Sequence, residues 1–502
     1  MMRRIFIFIG MILGVIDVPA KVVLSSLFTD NMVLQQQTEV QIWGVASFGE
    51  TVFICPSWDK KTYTARTDAM GVWRVKLQTP VAGGPYSIRF SERETGLNEE
   101  ETLTLHDILI GEVWFCAGQS NMEMPLKGKA NQPIDEAVDM IVHARPSRPI
   151  RICSIGQEGA RTPQKECQAR WLKNTPEVVA ETSATAYFFA NYLQEVLDVP
   201  VGIIISSWGG TAIQAWMNRE TLTSFDTFDL AFLDDTAFIE HPKYQPCMLY
   251  NAMIAPAERY TIKGFLWYQG ESNRKNPGLY RKLHPAFVKM LREKWGQGEL
   301  PFYYVQIAPF AYEGEELVGS ALLREAQLQN LKEIPNCNMV VTMDIGDRGC
   351  IHPARKRRVG ERLALLALSG SYGFGGFVPD TPVCQSMEVS EGKAYLTFDC
   401  GIEGLAPLGA TFSGVQVAGD DRVFYPATAQ IEKYTGRLEV SCDKVPFPVA
   451  VRYCFQNYEK GTLYSRYGIP VSSFRTDTWE IEELLLALLI FSIFCFLILL
   501  CI

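Results

Sequence analysis

The residues best suited to chemistry lie in four polar motifs, each placed directly after an apolar run. Gly118-Gln119-Ser120-Asn121-Met122 follows Val113-Trp114-Phe115-Cys116-Ala117. A serine at such a strand-to-helix turn exposes its hydroxyl, and its own N–H can face a developing oxyanion. Taken alone, Ser120 reads more readily as a helix N-cap. The motif is not Gly-x-Ser-x-Gly, because Met122 stands in the last position, and this argues against an ordinary α/β-hydrolase. In Ser206-Ser207-Trp208-Gly209-Gly210-Thr211, paired glycines let the backbone approach a ligand, and the Gly210 N–H could donate to an oxyanion. Trp267-Tyr268-Gln269-Gly270-Glu271-Ser272-Asn273 supplies two neutral amide donors, Gln269 and Asn273. Its Glu271 is a carboxylate that could orient a histidine or hold substrate hydroxyls. The fourth motif runs from Met343 to Pro353 and holds Asp344, Asp347 and His352. Of the five histidines, His352 alone follows a buried-looking strand, lies beside acids and precedes a helix. A nucleophile, a base, an acid and spare donors at one sheet edge form the set that acyl transfer requires.

Those motifs need a scaffold that brings distant loops to one edge. Apolar strand-like runs at 108–117, 201–206, 264–268, 302–307 and 339–343 alternate with helical stretches at 184–197, 280–295 and 324–333, and 358–368 reads as a closing helix. Strands alternating with helices predict an α/β layer, a parallel sheet with helices on both faces, and ligands bind such sheets at the carboxyl ends of the strands. Before this layer, residues 21–105 alternate apolar and polar positions between turn signals, as in Glu39–Gly44 and Gly71–Val75, which predicts an N-terminal β-sandwich. After it, short strands such as 393–398 and 449–453 predict a C-terminal β region over 371–480, leaving 106–370 as the catalytic layer.

The two ends differ from the body. Residues 1–20 carry Arg3 and Arg4 before an apolar run and are expected to be a signal peptide. Residues 484–502 form an uncharged apolar tail of membrane-spanning length, a candidate anchor, GPI signal or atypical terminus. A secretory compartment predicts disulfides among the 13 cysteines, whose pairing spacing does not reveal. No C-x-x-C occurs, and the histidines lack ligand spacing, so neither a metal nor another cofactor is expected. A net charge of −9 disfavours nucleic acid as a partner, and no protein partner is evident.

The four motifs, in this order, resemble those of the sialate O-acetylesterase family and, more broadly, of SGNH-type hydrolases. Asp30-Asn31-Met32-Val33-Leu34-Gln35, His106–Trp114 and Tyr250-Asn251-Ala252-Met253-Ile254 extend the resemblance, which runs from about residue 21 to 479. It implies a flavodoxin-like catalytic layer with β modules, no metal, hydrolysis of acetyl esters on sialic acids, and lysosomal or secreted forms. By the same resemblance Ser120 matches the nucleophile and His352 the base. Many SGNH relatives place an aspartate three residues before the histidine, where this chain has Gly349. Asp347 is the favoured acid, with Asp344 and Glu271 as alternatives, and either Gln269 or Asn273 takes the oxyanion role. Trp208, Trp216 and Tyr268 are expected to stack on the sugar. Two rival functions are an esterase of another acetylated glycan, such as acetylxylan, and a non-catalytic carbohydrate-binding protein.

Overall fold

The computed structural model describes residues 22–94, 102–400 and 404–480. The expected signal peptide and the apolar tail lie outside the described residues, and no described helix is long and apolar enough to cross a membrane.

The centre of the molecule is one sheet. Its strands are β1 (Thr102–Gly118), β2 (Ile150–Ser154), β3 (Trp171–Lys173), β4 (Val201–Ser207), β5 (Gly264–Tyr268), β6 (Phe302–Val305) and β7 (Cys337–Val340). Their spatial order is β3-β2-β4-β1-β5-β6-β7, with β3 antiparallel to β2 and the other neighbours parallel. Strand side chains alternate between faces, and β1 shows what each face buries. Val113, Phe115 and Ala117 join one apolar cluster, while Trp114 and Cys116 join another. Helices α1 (Ala184–Leu197) and α4 (Lys356–Tyr372) contribute to the Trp114 cluster, with Phe189 edge-on to Trp114 at 5.2 Å and Leu363 buried. On the other face stand α2 (Pro277–Trp295) and α3 (Gly319–Glu333), with Phe287 4.6 Å from Trp267. Each such fully buried large side chain contributes about 1.5–3 kcal/mol. Two-sided burial is why these strands read as continuous apolar runs.

α1 spans the predicted residues, whereas α2, α3 and α4 begin earlier than periodicity alone predicts. α2 starts at Pro277, because Asn276 caps it by accepting from the Leu279 N–H at 3.2 Å and proline suits the first turn. It ends at Gly296, whose φ of 65° permits the left-handed cap.

The β-rich flanks are joined to this sheet. β1 is 17 residues long, so the change of pattern near residue 106 falls inside one strand. Its first half pairs antiparallel with Gly83–Ser91 and its second half pairs parallel with β4. Val23–Leu24, Glu39–Val45 and Val72–Gln78 form a separate three-stranded antiparallel sheet. After α4, residues 384–475 build two four-stranded antiparallel sheets and one two-stranded sheet. They are fastened to α3 through Arg324, a wholly buried cation whose Nε donates to Ser473 Oγ at 2.9 Å and whose Nη2 donates to the carbonyls of Cys454 and Gln456. The described cysteines, Cys55 to Cys454, are free thiols, so no disulfide is formed among the described residues.

Candidate active site

Ser120 and His352 meet at the carboxyl end of β1. Gly118 closes the strand with a φ of 147°, and a Cβ there would lie 2.2 Å from the Tyr268 carbonyl oxygen, so only glycine fits. The chain then turns into a single helical turn, Ser120–Glu123. Ser120 Oγ lies 2.9 Å from His352 Nε2. On the far side of the ring, Nδ1 lies 2.8 Å from Gln132 Oε1. An amide oxygen can only accept, so Nδ1 carries the proton and Nε2 is left to accept from the serine hydroxyl. This tautomer is the one a general base needs.

Gln132 replaces the expected carboxylate. Asp347, favoured from the sequence, is exposed and caps its own turn, where its Oδ1 accepts from the N–H groups of Gly349 at 2.8 Å and Cys350 at 3.0 Å. Asp344 forms a two-pronged pair with Arg362, at 2.8 and 2.6 Å. Glu271 is buried and accepts from Asn121 Nδ2 at 2.5 Å. Among the described residues none of these three carboxylates bonds the imidazole. No sequence signal marks Gln132, a loop residue 220 positions from His352.

The donor assignments also separate. Gln269 is fully buried, and its Nε2 donates to the Thr211 carbonyl at 3.1 Å and to Asn273 Oδ1 at 2.8 Å, so both amide protons are committed. Asn273 also accepts from the Ile213 N–H at 2.9 Å, and its Nδ2 donates once, to Gln214 Oε1 at 3.0 Å. Among the described residues one amide proton of Asn273 therefore stays free. Gly210 has the left-handed φ of 77° that glycine favours. Its neighbour Gly209 packs on the serine, since a Cβ built there would lie 3.2 Å from Ser120 Cβ. The Gly209 N–H is engaged by the Glu123 carboxylate. Of the three expected sugar platforms, only Trp208 is partly exposed. Trp216 and Tyr268 are wholly buried core residues, Trp216 donating to Thr211 Oγ1 at 2.9 Å.

The family model for the carbohydrate esterases described as sialic acid-specific acetylesterases matches residues 110–369, a span that contains every residue of this site. The chain belongs to that family. It is 30% identical to the sialate O-acetylesterases of Homo sapiens and Pongo abelii over 402 residues, covering 74% of this chain and 75% of each relative. A solved carbohydrate acetylesterase from Xanthomonas citri superposes with a TM-score of 0.81 at 35% identity, covering 91% of this chain and all of that one.

Behind the serine of this acetylesterase lies a buried polar chain that the sequence did not reveal. Lys356, fully buried at the start of α4, donates its Nζ to Asn121 Oδ1, and Asn121 Nδ2 donates to Glu271. Burial pushes the lysine down to about 7, opposed by Glu271, and pushes the Glu271 carboxyl up. The second carboxylate oxygen, Oε2, has no hydrogen-bond partner among the described residues.

His352 is lowered to about 4, first by burial, then by the charges of Lys356 and Lys129, with Glu123 acting in the opposite direction. Only the neutral imidazole can accept the serine proton. A lowered value keeps it neutral as the medium acidifies, so activity is lost only as pH falls through about 4. The kcat/KM profile of acetyl-ester hydrolysis should be flat from neutrality into mildly acidic pH. A single-proton acidic limb at the ordinary histidine value would contradict this environment.

Proposed function

We propose that this chain hydrolyses O-acetyl esters of sialic acids through a Ser120–His352 dyad. The observation that carries the reading is the 2.9 Å contact between Ser120 Oγ and His352 Nε2 at the carboxyl ends of parallel strands. Family membership supports the substrate class. The parallel order and the helices on both faces support an SGNH-type, flavodoxin-like naming of the central layer.

In this scheme His352 Nε2 takes the Ser120 proton as Oγ attacks the acetyl carbonyl. The backbone N–H groups of Ser120 and Gly210 and the free amide proton of Asn273 receive the oxyanion. Collapse breaks the ester bond, and the imidazolium returns its proton to the departing sugar oxygen. Water then attacks the acetyl-serine with His352 as base, releasing acetate. Gln132 holds Nδ1–H and so fixes the ring. Being neutral, it gives the imidazolium no counter-charge, which agrees with the lowered histidine. Gln269 acts one step back, by holding Asn273.

The decisive test is acetate release from O-acetylated sialic acid and from acetylated xylan by the full chain, with Ser120→Ala alongside. Release from the sialic acid that depends on Ser120 supports the reading. Release from xylan alone would reject its substrate class, and glycan binding without turnover would reject the esterase itself. Gln132 has its own expected outcome. Gln132→Ala should lower kcat about tenfold, the value of one orienting hydrogen bond, whereas Gln132→Glu should shift the acidic limb to higher pH. A kcat unchanged in Gln132→Ala would show that ring orientation does not depend on this contact.

A further inference from the structure

The reaction scheme gives no task to Lys243, a cation held on the glycine that packs against the serine. Lys243 lies in the short turn Pro242–Tyr244, and its Nζ donates to the Gly209 carbonyl at 3.1 Å. Gly209 is the residue that packs on Ser120. A Cβ built on Gly210, the next residue, would lie 4.0 Å from the same Nζ. The ammonium is also 5.0 Å from the centre of the Tyr244 ring and 5.9 Å from that of Trp208. Both rings keep exposed surface, Tyr244 at 52%.

An ammonium has three protons, and a single acceptor leaves two to be satisfied. Among the described residues Lys243 has no carboxylate within ion-pair range. By contrast, Lys129, the other lysine of this rim, is paired with Glu123 at 2.8 Å. Glu123 is the nearby acid that would repel an anion, but it is already held by Lys129 and by the Gly209 N–H. The rim therefore offers an uncompensated positive charge on a chain whose net charge is −9. Next to that charge stand two aromatic faces of the kind that pack on sugar rings. A monosaccharide that presents an ester to Ser120 and carries its own carboxylate would meet both.

We propose that Lys243 recognises the carboxylate of the acidic sugar and sets the preference of this esterase for a sialate over a neutral acetylated sugar. The inference rests on the Ser120–His352 reading of the site and adds what the site selects. The carboxylate accepts from the two remaining ammonium protons, while the contact with Gly209 and the two rings holds the lysine in place. Trp208 and Tyr244 exclude water on its flanks and strengthen the pair.

The test uses two substrates with the same acetyl group, 9-O-acetyl-N-acetylneuraminic acid and its C1 methyl ester. The methyl ester removes the charge and leaves the acetyl ester untouched. Acetate release gives the ratio of kcat/KM for the acid over that for the methyl ester. Wild type should favour the acid. In Lys243→Met the ratio should fall about tenfold or more, the expected value of one charge-assisted hydrogen bond, through KM for the acid. Lys243→Arg should recover part of it. An unchanged ratio in Lys243→Met overturns the proposal, including the case where both substrates slow equally, which would mean that the lysine acts through the Gly209 peptide on the oxyanion. Labelling by a serine-directed phosphonate reports the folded, active fraction of each variant. If Ser120→Ala hydrolyses both substrates like wild type, the esterase reading itself fails, a result distinct from an unchanged ratio.

Discussion

Ser120→Ala should lower kcat for acetate release by about 10⁵-fold, because it removes the nucleophile and with it the covalent route. What remains is the background from oxyanion donors and substrate binding. The fold should not suffer. The Ser120 side chain is half-buried, and its described hydrogen bond is to the other member of the dyad, so the stability change should stay within about 0.5 kcal/mol, as for substitutions away from packed features. His352→Ala should cost a comparable factor. The double variant should cost little more than either alone, since a nucleophile without its base and a base without its nucleophile are both idle. Stopped-assay acetate release and phosphonate labelling measure these effects, with urea unfolding as the control for folding. Turnover in Ser120→Ala within tenfold of wild type would remove the dyad from the mechanism.

The second large effect is expected on stability. Lys356→Met keeps much of the side-chain volume but deletes the cation at one end of the Lys356–Asn121–Glu271 chain. Glu271 is then left buried with its counter-charge gone, a situation that costs about 3–5 kcal/mol in other proteins. The carboxyl is already raised by burial, so it can take up a proton, and the loss should fall at the low end of that range. Lys356→Met combined with Glu271→Gln should recover most of the loss, because the pair is then removed together. Lys356 also pushes His352 down, so the same variant should move the acidic limb of kcat/KM to higher pH. Urea midpoints at neutral pH and the pH profile give two independent readings. A lysine variant as stable as wild type, with an unmoved limb, would show that the buried chain carries no charge.

The contact between Ser120 and His352 was legible because each partner is announced locally. A two-sided apolar run ends at Ala117 and Gly118, and the next polar hydroxyl is Ser120. The loop that holds His352 is likewise bracketed by β7 and by α4. Parallel strands put all such endings on one edge, so periodicity alone implied that the two residues would be neighbours. The β-rich flanks were legible for the same reason. Their joining was not, since one strand, β1, serves two sheets, and a change of partner leaves no mark on a run of apolar residues.

The partners of the site residues were decided elsewhere. Asp347 stands close to His352 along the chain, yet its carboxylate satisfies the N–H groups of its own turn. Gln132, far away, supplies the contact to Nδ1. Gln269 and Asn273 look alike as amide donors, and only the positions of Thr211, Ile213 and Gln214 distinguish the committed amide from the one with a proton to spare. Trp216 and Tyr268 carry rings fit for a sugar but point into the core.

Residue order and hydrophobic period thus determined the layer, its working edge, and the hydroxyl and imidazole that stand on it. Tertiary packing alone decided which side chain contacts the imidazole, which amide keeps a free proton among the described residues, and which lysine comes to rest against the Gly209 carbonyl. Hydrophobic burial follows local period, whereas a hydrogen bond lives or dies within a few tenths of an ångström, and that closeness is set by where folded loops come to rest.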